Sequence, residues 1–174
     1  FSDERPRNEL ITKHLDDIAN KFNVDFIVKN KVIKLGECDA NPEDIAKQIK
    51  AQDLIILATY NLKLEPINAQ RIIDEANRVN IPLVVISSRN PYDIAYLSGV
   101  KANIAIYGIT GFDVTNNVRN SLETNIRSGL RSLFQGPKGK LDVLAEPHGK
   151  LPVDIRTPDN SQILYPRGYG LTTL

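Results

Sequence analysis

The segment Leu54-Ile55-Ile56-Leu57-Ala58 is apolar at every position. A strand with one face in water alternates apolar and polar residues. An unbroken apolar run of this length suits instead a parallel strand covered on both faces. Pro82-Leu83-Val84-Val85-Ile86 repeats the pattern with more β-branching, and Asn103 to Ile106 supplies a third short strand. Parallel strands cannot be joined by tight hairpins, so each pair needs a crossover, usually a helix. Between the first two runs, Pro66 opens a helical pattern to about Asn80, with Ile67, Ile72, Ile73, Ala76 and Val79 on its inner side. These features predict an α/β fold: a mostly parallel sheet flanked by helices on both faces, an α/β sandwich with right-handed crossovers.

The remaining elements follow the same grammar. Asn8 to Phe22 has Leu10, Ile11, His14, Leu15, Ile18 and Phe22 at helical spacings of three and four. Asp25 to Val28 is strand-like, with a continuation through Val32 to Leu35. Asn41-Pro42-Glu43-Asp44 starts a helix, because Asn caps, Pro fits the first turn and acids favour the dipole's positive end. Pro91 to Leu97 is a short helix. Val114 to Phe134 is the longest, with Val118, Leu122, Ile126, Leu130 and Leu133 as its buried stripe. A doubly wound domain normally begins with a strand, yet here a helix comes almost at once. Either Phe1-Ser2 is the stub of a first strand or the fold starts with a helix, and the first is favoured.

Ten of the twenty Gly and Pro residues fall between Gly136 and Gly170, a density that forces turns. Residues 1–174 therefore read as one α/β domain, with a regular core over 1–134. Residues 135–174 form an irregular Gly/Pro-rich C-terminal extension packing on it.

Net charge is +1, and no basic run interleaves with aromatics, so no nucleic-acid partner is expected. Apolar runs reach about five residues, far short of a membrane span, and no signal-like segment follows Phe1. The single cysteine, Cys38, excludes an internal disulfide and any CxxC metal site.

Arg89-Asn90-Pro91-Tyr92-Asp93 follows the Pro82–Ile86 run. Asn90 caps, Pro91 takes the first helical position, and Asp93 stands where a capping box places its acid. The segment is thus a strand, a turn and a helix start, which is where open α/β sheets place ligands or partner surfaces. Elsewhere, chemistry is sparse. His14 lies on a helix stripe and His148 has no second histidine near it in the sequence, so no metal is expected. Ser87-Ser88 follows a strand without the glycines of a nucleophile elbow. No G-x-G-x-x-G or phosphate-loop pattern occurs, and Gly108-Ile109-Thr110-Gly111 is only a weak anion cradle. The acid pairs Asp16-Asp17, Glu43-Asp44 and Asp74-Glu75 fit solvated helix faces. No cofactor is expected.

Two tail segments carry a resemblance. Gly149-Lys150-Leu151-Pro152-Val153 and Leu164-Tyr165-Pro166-Arg167-Gly168-Tyr169-Gly170-Leu171 resemble the end of the second domain of family 3 glycoside hydrolases. There a GKLPV-like strand follows the last helix and an LYPFGYGL-like segment closes the domain. Arg167 stands where the family commonly has Phe, and Gly139-Lys140-Leu141 partly echoes the first motif. The Leu54–Ala58 strand, the Pro66 helix carrying Gln70 and the Ile81–Ile86 strand match the family's core order. Arg89-Asn90-Pro91-Tyr92-Asp93 resembles the branch acting on β-N-acetylglucosaminides, including bacterial enzymes of cell-wall turnover.

The resemblance implies that the nucleophile, an Asp, and in this branch a His general acid/base paired with an Asp, lie on a preceding TIM barrel. In glucosidase relatives a Glu on a long loop of this domain serves. Here the loop from Asn61 to Glu65 is short, which favours the first branch and gives this chain no catalytic residue. The expected partner is an N-terminal TIM barrel of the same polypeptide, with carbohydrate bound only in the full-length protein. The relatives imply an extracellular or cell-envelope location, with a cytoplasmic one as the alternative. Arg89, Asn90, Tyr92 and Asp93 are the candidates for a substrate-cleft or interdomain edge, beside the plainer reading that Asp93 only caps and Tyr92 only packs. The other open readings are a stand-alone module for a nucleotide or small ligand and a pure interaction domain.

Overall fold

The computed structural model describes residues 1–22, 27–62, 65–107 and 149–170. The expected Val114–Phe134 helix, the Gly108–Gly111 turn and His148 lie outside them. Helix α1 spans Arg5–Phe22, α2 Pro42–Lys50 and α3 Ile67–Arg78. Strands β1 (Ile55–Thr59), β2 (Leu83–Ser87) and β3 (Asn103–Ala105) form a parallel sheet in that order. A 3-10 helix over Pro91–Tyr96 links β2 to β3. Strands β4 (Ile155–Arg156) and β5 (Ile163–Tyr165) make a small antiparallel sheet. The chain therefore has a mixed α/β fold. No helix among the described residues is long and apolar enough to cross a membrane.

The sheet extends beyond β1 through single bridges. Ser2 pairs in parallel with both Ala58 and Val32. Four backbone bonds hold it: Phe1 N donates to Ile56 O, Ala58 N to Phe1 O, Ser2 N to Lys31 O, and Ile33 N to Ser2 O. Phe1-Ser2 thus occupies a strand position, as favoured from the sequence. Across the sheet the order is Val32, Ser2, β1, β2, β3. Chain order reverses between Ser2 and β1, which makes that gap the topological switch point.

Strand residues of alternating parity feed two cores. Ile55, Leu57 and Val85 cluster with Ile45 and Ile49 of α2 and Ile72, Ile73 and Ala76 of α3. Ala58, Ile86 and Ile106 cluster with Ile11, Leu15 and Ile18 of α1. The continuous apolar runs thus serve two different cores at once, which is why they do not alternate.

Four boundaries differ from expectation. Helix α1 starts before Asn8, because Pro6 supplies a first-turn proline and the Asn8 side chain is spent on Lys31 O, 2.9 Å away. The 91–97 helix is 3-10 rather than α. In the stretch expected as a strand through Leu35, pairing among residues 27–35 is limited to the Val32 bridge, and Ile27 is 87% exposed. The tail, expected to be irregular, carries the β4–β5 pair. Its Thr157–Gln162 turn is stapled by Asp159, whose Oδ1 accepts from Ser161 N (3.1 Å) and the Thr157 and Ser161 hydroxyls.

Candidate functional site

Parallel pairing puts Thr59 beside Ser87, so the residues that follow β1 and β2 emerge together. Ser88 N donates to Thr59 O at 2.9 Å and carries the ladder one step further. Tyr60-Asn61 then faces Arg89-Asn90. The Asn90 amide donates from Nδ2 to Asn61 Oδ1 (2.9 Å), while its Oδ1 accepts from Tyr92 N (3.0 Å). Asn90 is therefore the cap expected from the sequence and also a cross-link between two loops. Asn61 takes a left-handed backbone, φ 52°, which Asn tolerates better than most residues.

Two guanidiniums lie over the Tyr60 ring. Arg89 is exposed, with its guanidinium carbon 5.6 Å from the ring centroid. Arg7 is buried, 4.9 Å from the same centroid. The charge of Arg7 is answered by Asp3 and by Glu4 at 3.1 Å. For Arg89, no carboxylate partner exists among the described residues.

Asp93 does not close a capping box. Its carboxylate is buried, and Oδ1 accepts from Leu62 N at 2.9 Å. It pins the β1–α3 loop to the 3-10 helix instead. Burial pushes its pKa up, against the Thr59 hydroxyl, the Leu62 amide and the Arg7 charge, which favour the anion. Tyr92, 43% exposed, does not pack away. Tyr107 follows β3 with φ 50° and is also exposed. Its phenol pKa is raised by burial and by the nearby Tyr92.

The four candidates thus divide. Arg89, Asn90 and Tyr92 form an accessible rim at the carboxyl ends of the strands, and Asp93 braces it from beneath. Sequence reasoning passed over Tyr60, Arg7 and Asp3. Tyr60 was legible as a residue at the carboxyl end of the Leu54–Ala58 run, as Arg89 stands at the end of the Pro82–Ile86 run. Arg7 was legible only once the sheet order showed Ser2 beside β1.

Other singled-out residues have structural duties. Gln70 accepts from Ser98 N (2.9 Å) and donates to Ser98 O (3.1 Å), tying α3 to the segment after the 3-10 helix. Glu65 is exposed, with φ 61°. Ser87 donates to Asn103 Oδ1 at 3.0 Å, and Ser88 is buried. No group of three His, Cys, Asp or Glu able to hold a metal occurs among the described residues. A cavity of about 780 Å³ opens at the other end of β1, floored by Ile11, Leu15, Leu54 and Ile56, with Lys29 and Asp53 among its charged groups.

The two tail motifs meet. Leu151 N donates to Tyr169 O and Gly168 N to Leu151 O, both at 2.8 Å, and Lys150 Nζ reaches Gly170 O at 2.8 Å. A Cβ on Gly170 would land on the Gly149 carbonyl, so only glycine permits this approach. Strand β4 packs against the 3-10 helix, which seats the tail beside the rim.

No protein-family model matches the chain, and no curated protein matches it either.

Proposed function

We propose that the chain is the non-catalytic second domain of a family 3 glycoside hydrolase of the β-N-acetylglucosaminidase branch. In this reading it supports a catalytic TIM barrel of the same polypeptide, acts on cell-wall-type glycans only with that barrel, and works outside the cell or in its envelope. The observation that carries the proposal is the pairing of the two tail motifs. The GKLPV and LYPRGYG segments together carry the resemblance, and they hydrogen-bond to each other beside the Arg89 rim. The two cores on alternating strand residues support the α/β sandwich that the family's second domain has. The rim supports an interdomain or cleft-edge duty: Asn90 fixes the loops, Arg89 presents a planar cationic fork, and Tyr92 an apolar face with a polar tip.

The test is hydrolysis of a chromogenic N-acetyl-β-glucosaminide by this chain alone and by the chain joined to its barrel. The isolated chain should be inactive and the joined protein active. Activity of the chain alone, or a joined protein that cleaves no glycoside, overturns the proposal.

A second reading has one observation in its favour: the switch point beside Ser2 is where open α/β sheets bind nucleotides. The crevice there holds Arg7 together with Asp3 and Glu4, so its positive charge is already neutralised and its acids oppose a phosphate. Calorimetric titration with nucleotides separates the readings, since saturable binding would favour the stand-alone module.

A further inference from the structure

The cavity at the Leu54 end of β1 lies in line with Phe1-Ser2, which hold the place between β1 and the Val32 segment. Its two long walls are backbone, residues 53–56 on one side and 27–31 on the other. Parity decides which groups face it. Ile55 and Thr59 spend their backbone on the β2 side, as the bonds Ile55 N to Pro82 O and Ser88 N to Thr59 O show. Leu54 and Ile56 therefore turn theirs the other way. Phe1 N already takes Ile56 O, and Ser2 N takes Lys31 O. Among the described residues, Ile56 N, Leu54 O, Lys31 N and Lys29 O have no bonding partner. Two rows of donors and acceptors thus face each other across the width of one strand.

We infer that this cavity seats an extended apolar segment of polypeptide that runs directly into Phe1 and lies parallel to β1 as an inner strand of the sheet. The parallel ladder dictates its bonds. The residue adjoining Phe1 would donate to Lys29 O and accept from Lys31 N. The residue before it would donate to Leu54 O and accept from Ile56 N, so two residues satisfy all four groups. Side chains alternate between faces. The adjoining residue falls on the α1 side with Ile56, over Ile11 and Leu15, and is apolar for that reason. The residue before it falls with Phe1 and Ile55 on the α2 side, near Gln48 and Ala51. An aliphatic ligand would cover the same carbons and leave the backbone groups buried without partners, which is costly at each one. A helix bonds its own backbone and leaves them in the same state. The segment is joined to Phe1 rather than supplied as a separate peptide. Burial lowers the pKa of the Phe1 ammonium to about 6, so a charge is disfavoured at that point. A peptide N–H makes the same bond to Ile56 O without a charge. A separate peptide would keep the ammonium and bury its own carboxylate beside it. This inference does not depend on the glycosidase reading.

The experiment joins Val-Val-Val ahead of Phe1 and follows amide hydrogen exchange and urea unfolding against the parent chain. Exchange at Ile56 and Lys31 should slow by about tenfold, the factor expected for roughly one net hydrogen bond, and the unfolding midpoint should rise. Thr-Thr-Val, more soluble and with the same adjoining residue, should match it. Val-Val-Asp puts a carboxylate over Ile11 and Leu15 and should lose the gain, and Gly-Ser-Gly should give little. Free Val-Val-Val at equal concentration should slow neither amide. Unchanged exchange at both amides, equal effects of Val-Val-Val and Val-Val-Asp, or equal protection by the free peptide each overturns the inference.

Discussion

Asp93 is a buried carboxylate whose partner, Leu62 N, lies far away in the sequence. Removing the acceptor strands a buried N–H, so Asp93→Ala should lower stability by about 1–3 kcal/mol, read by urea unfolding. Asp93→Asn keeps an oxygen acceptor and should cost less. The pH dependence has a definite sign. Burial raises the folded-state pKa above the unfolded one, so the folded chain holds the proton over a range where the unfolded chain has lost it. The contribution of this group is therefore full below the ordinary aspartate range and lost as pH rises through the raised value. Asp93→Asn should remove that fall, and an unchanged stability profile would show that another group causes it. The Asp159 carboxyl has the opposite sign. The Thr157 hydroxyl, with the Ser161 amide and hydroxyl, pulls its pKa down to about 2, so its contribution is kept above the ordinary range and fades as pH drops towards that value. The role of Asp93 was illegible because capping grammar considers only neighbours in sequence. Burial and a partner in another loop are tertiary facts.

At the scale of elements, local signals served well where the chemistry is local. Asn41 caps α2 as read, accepting from Glu43 N at 2.9 Å. Asn41→Ala should cost about 1 kcal/mol, measurable as a lower unfolding midpoint. Asn90 caps as read, but the element it starts has only six residues and stays 3-10. Two helix starts and three strands were legible in this way. The strand read over Asp25 to Leu35 is, in its described part from Ile27, only the Val32 bridge, since an apolar run does not show that its partner is the single residue Ser2. The glycines of the tail were legible only as turn formers, whereas Gly170 answers a close backbone approach. Gly170→Ala should open the Gly149–Gly170 contact and make the tail more readily cleaved by protease. Gly36→Ala, with nothing within 4 Å of the added carbon, is the control and should behave as the parent chain.

For the whole molecule, β1 and β2 are shared by both cores, with Ile55, Leu57 and Val85 on one side and Ala58 and Ile86 on the other. Leu57 is fully buried, and Leu57→Ala should cost about 2–5 kcal/mol. Because β1 joins the two cores, unfolding should remain a single transition, with fluorescence and circular dichroism reporting one midpoint. Two separate midpoints would show that the cores fold independently.

The bridges at Ser2 also set a direction of approach. Phe1 N bonds Ile56 O, so polypeptide joined ahead of Phe1 runs alongside Ile55 and Leu54, away from Arg89. The rim lies at the opposite end of a five-residue strand, about 17 Å long at roughly 3.3 Å per residue. In the proposed two-domain protein, a barrel seated on the rim would therefore be led back along the sheet by a connector of at least that reach. A joined protein whose connector is cut to one or two residues should lose the interdomain contact while both halves stay folded.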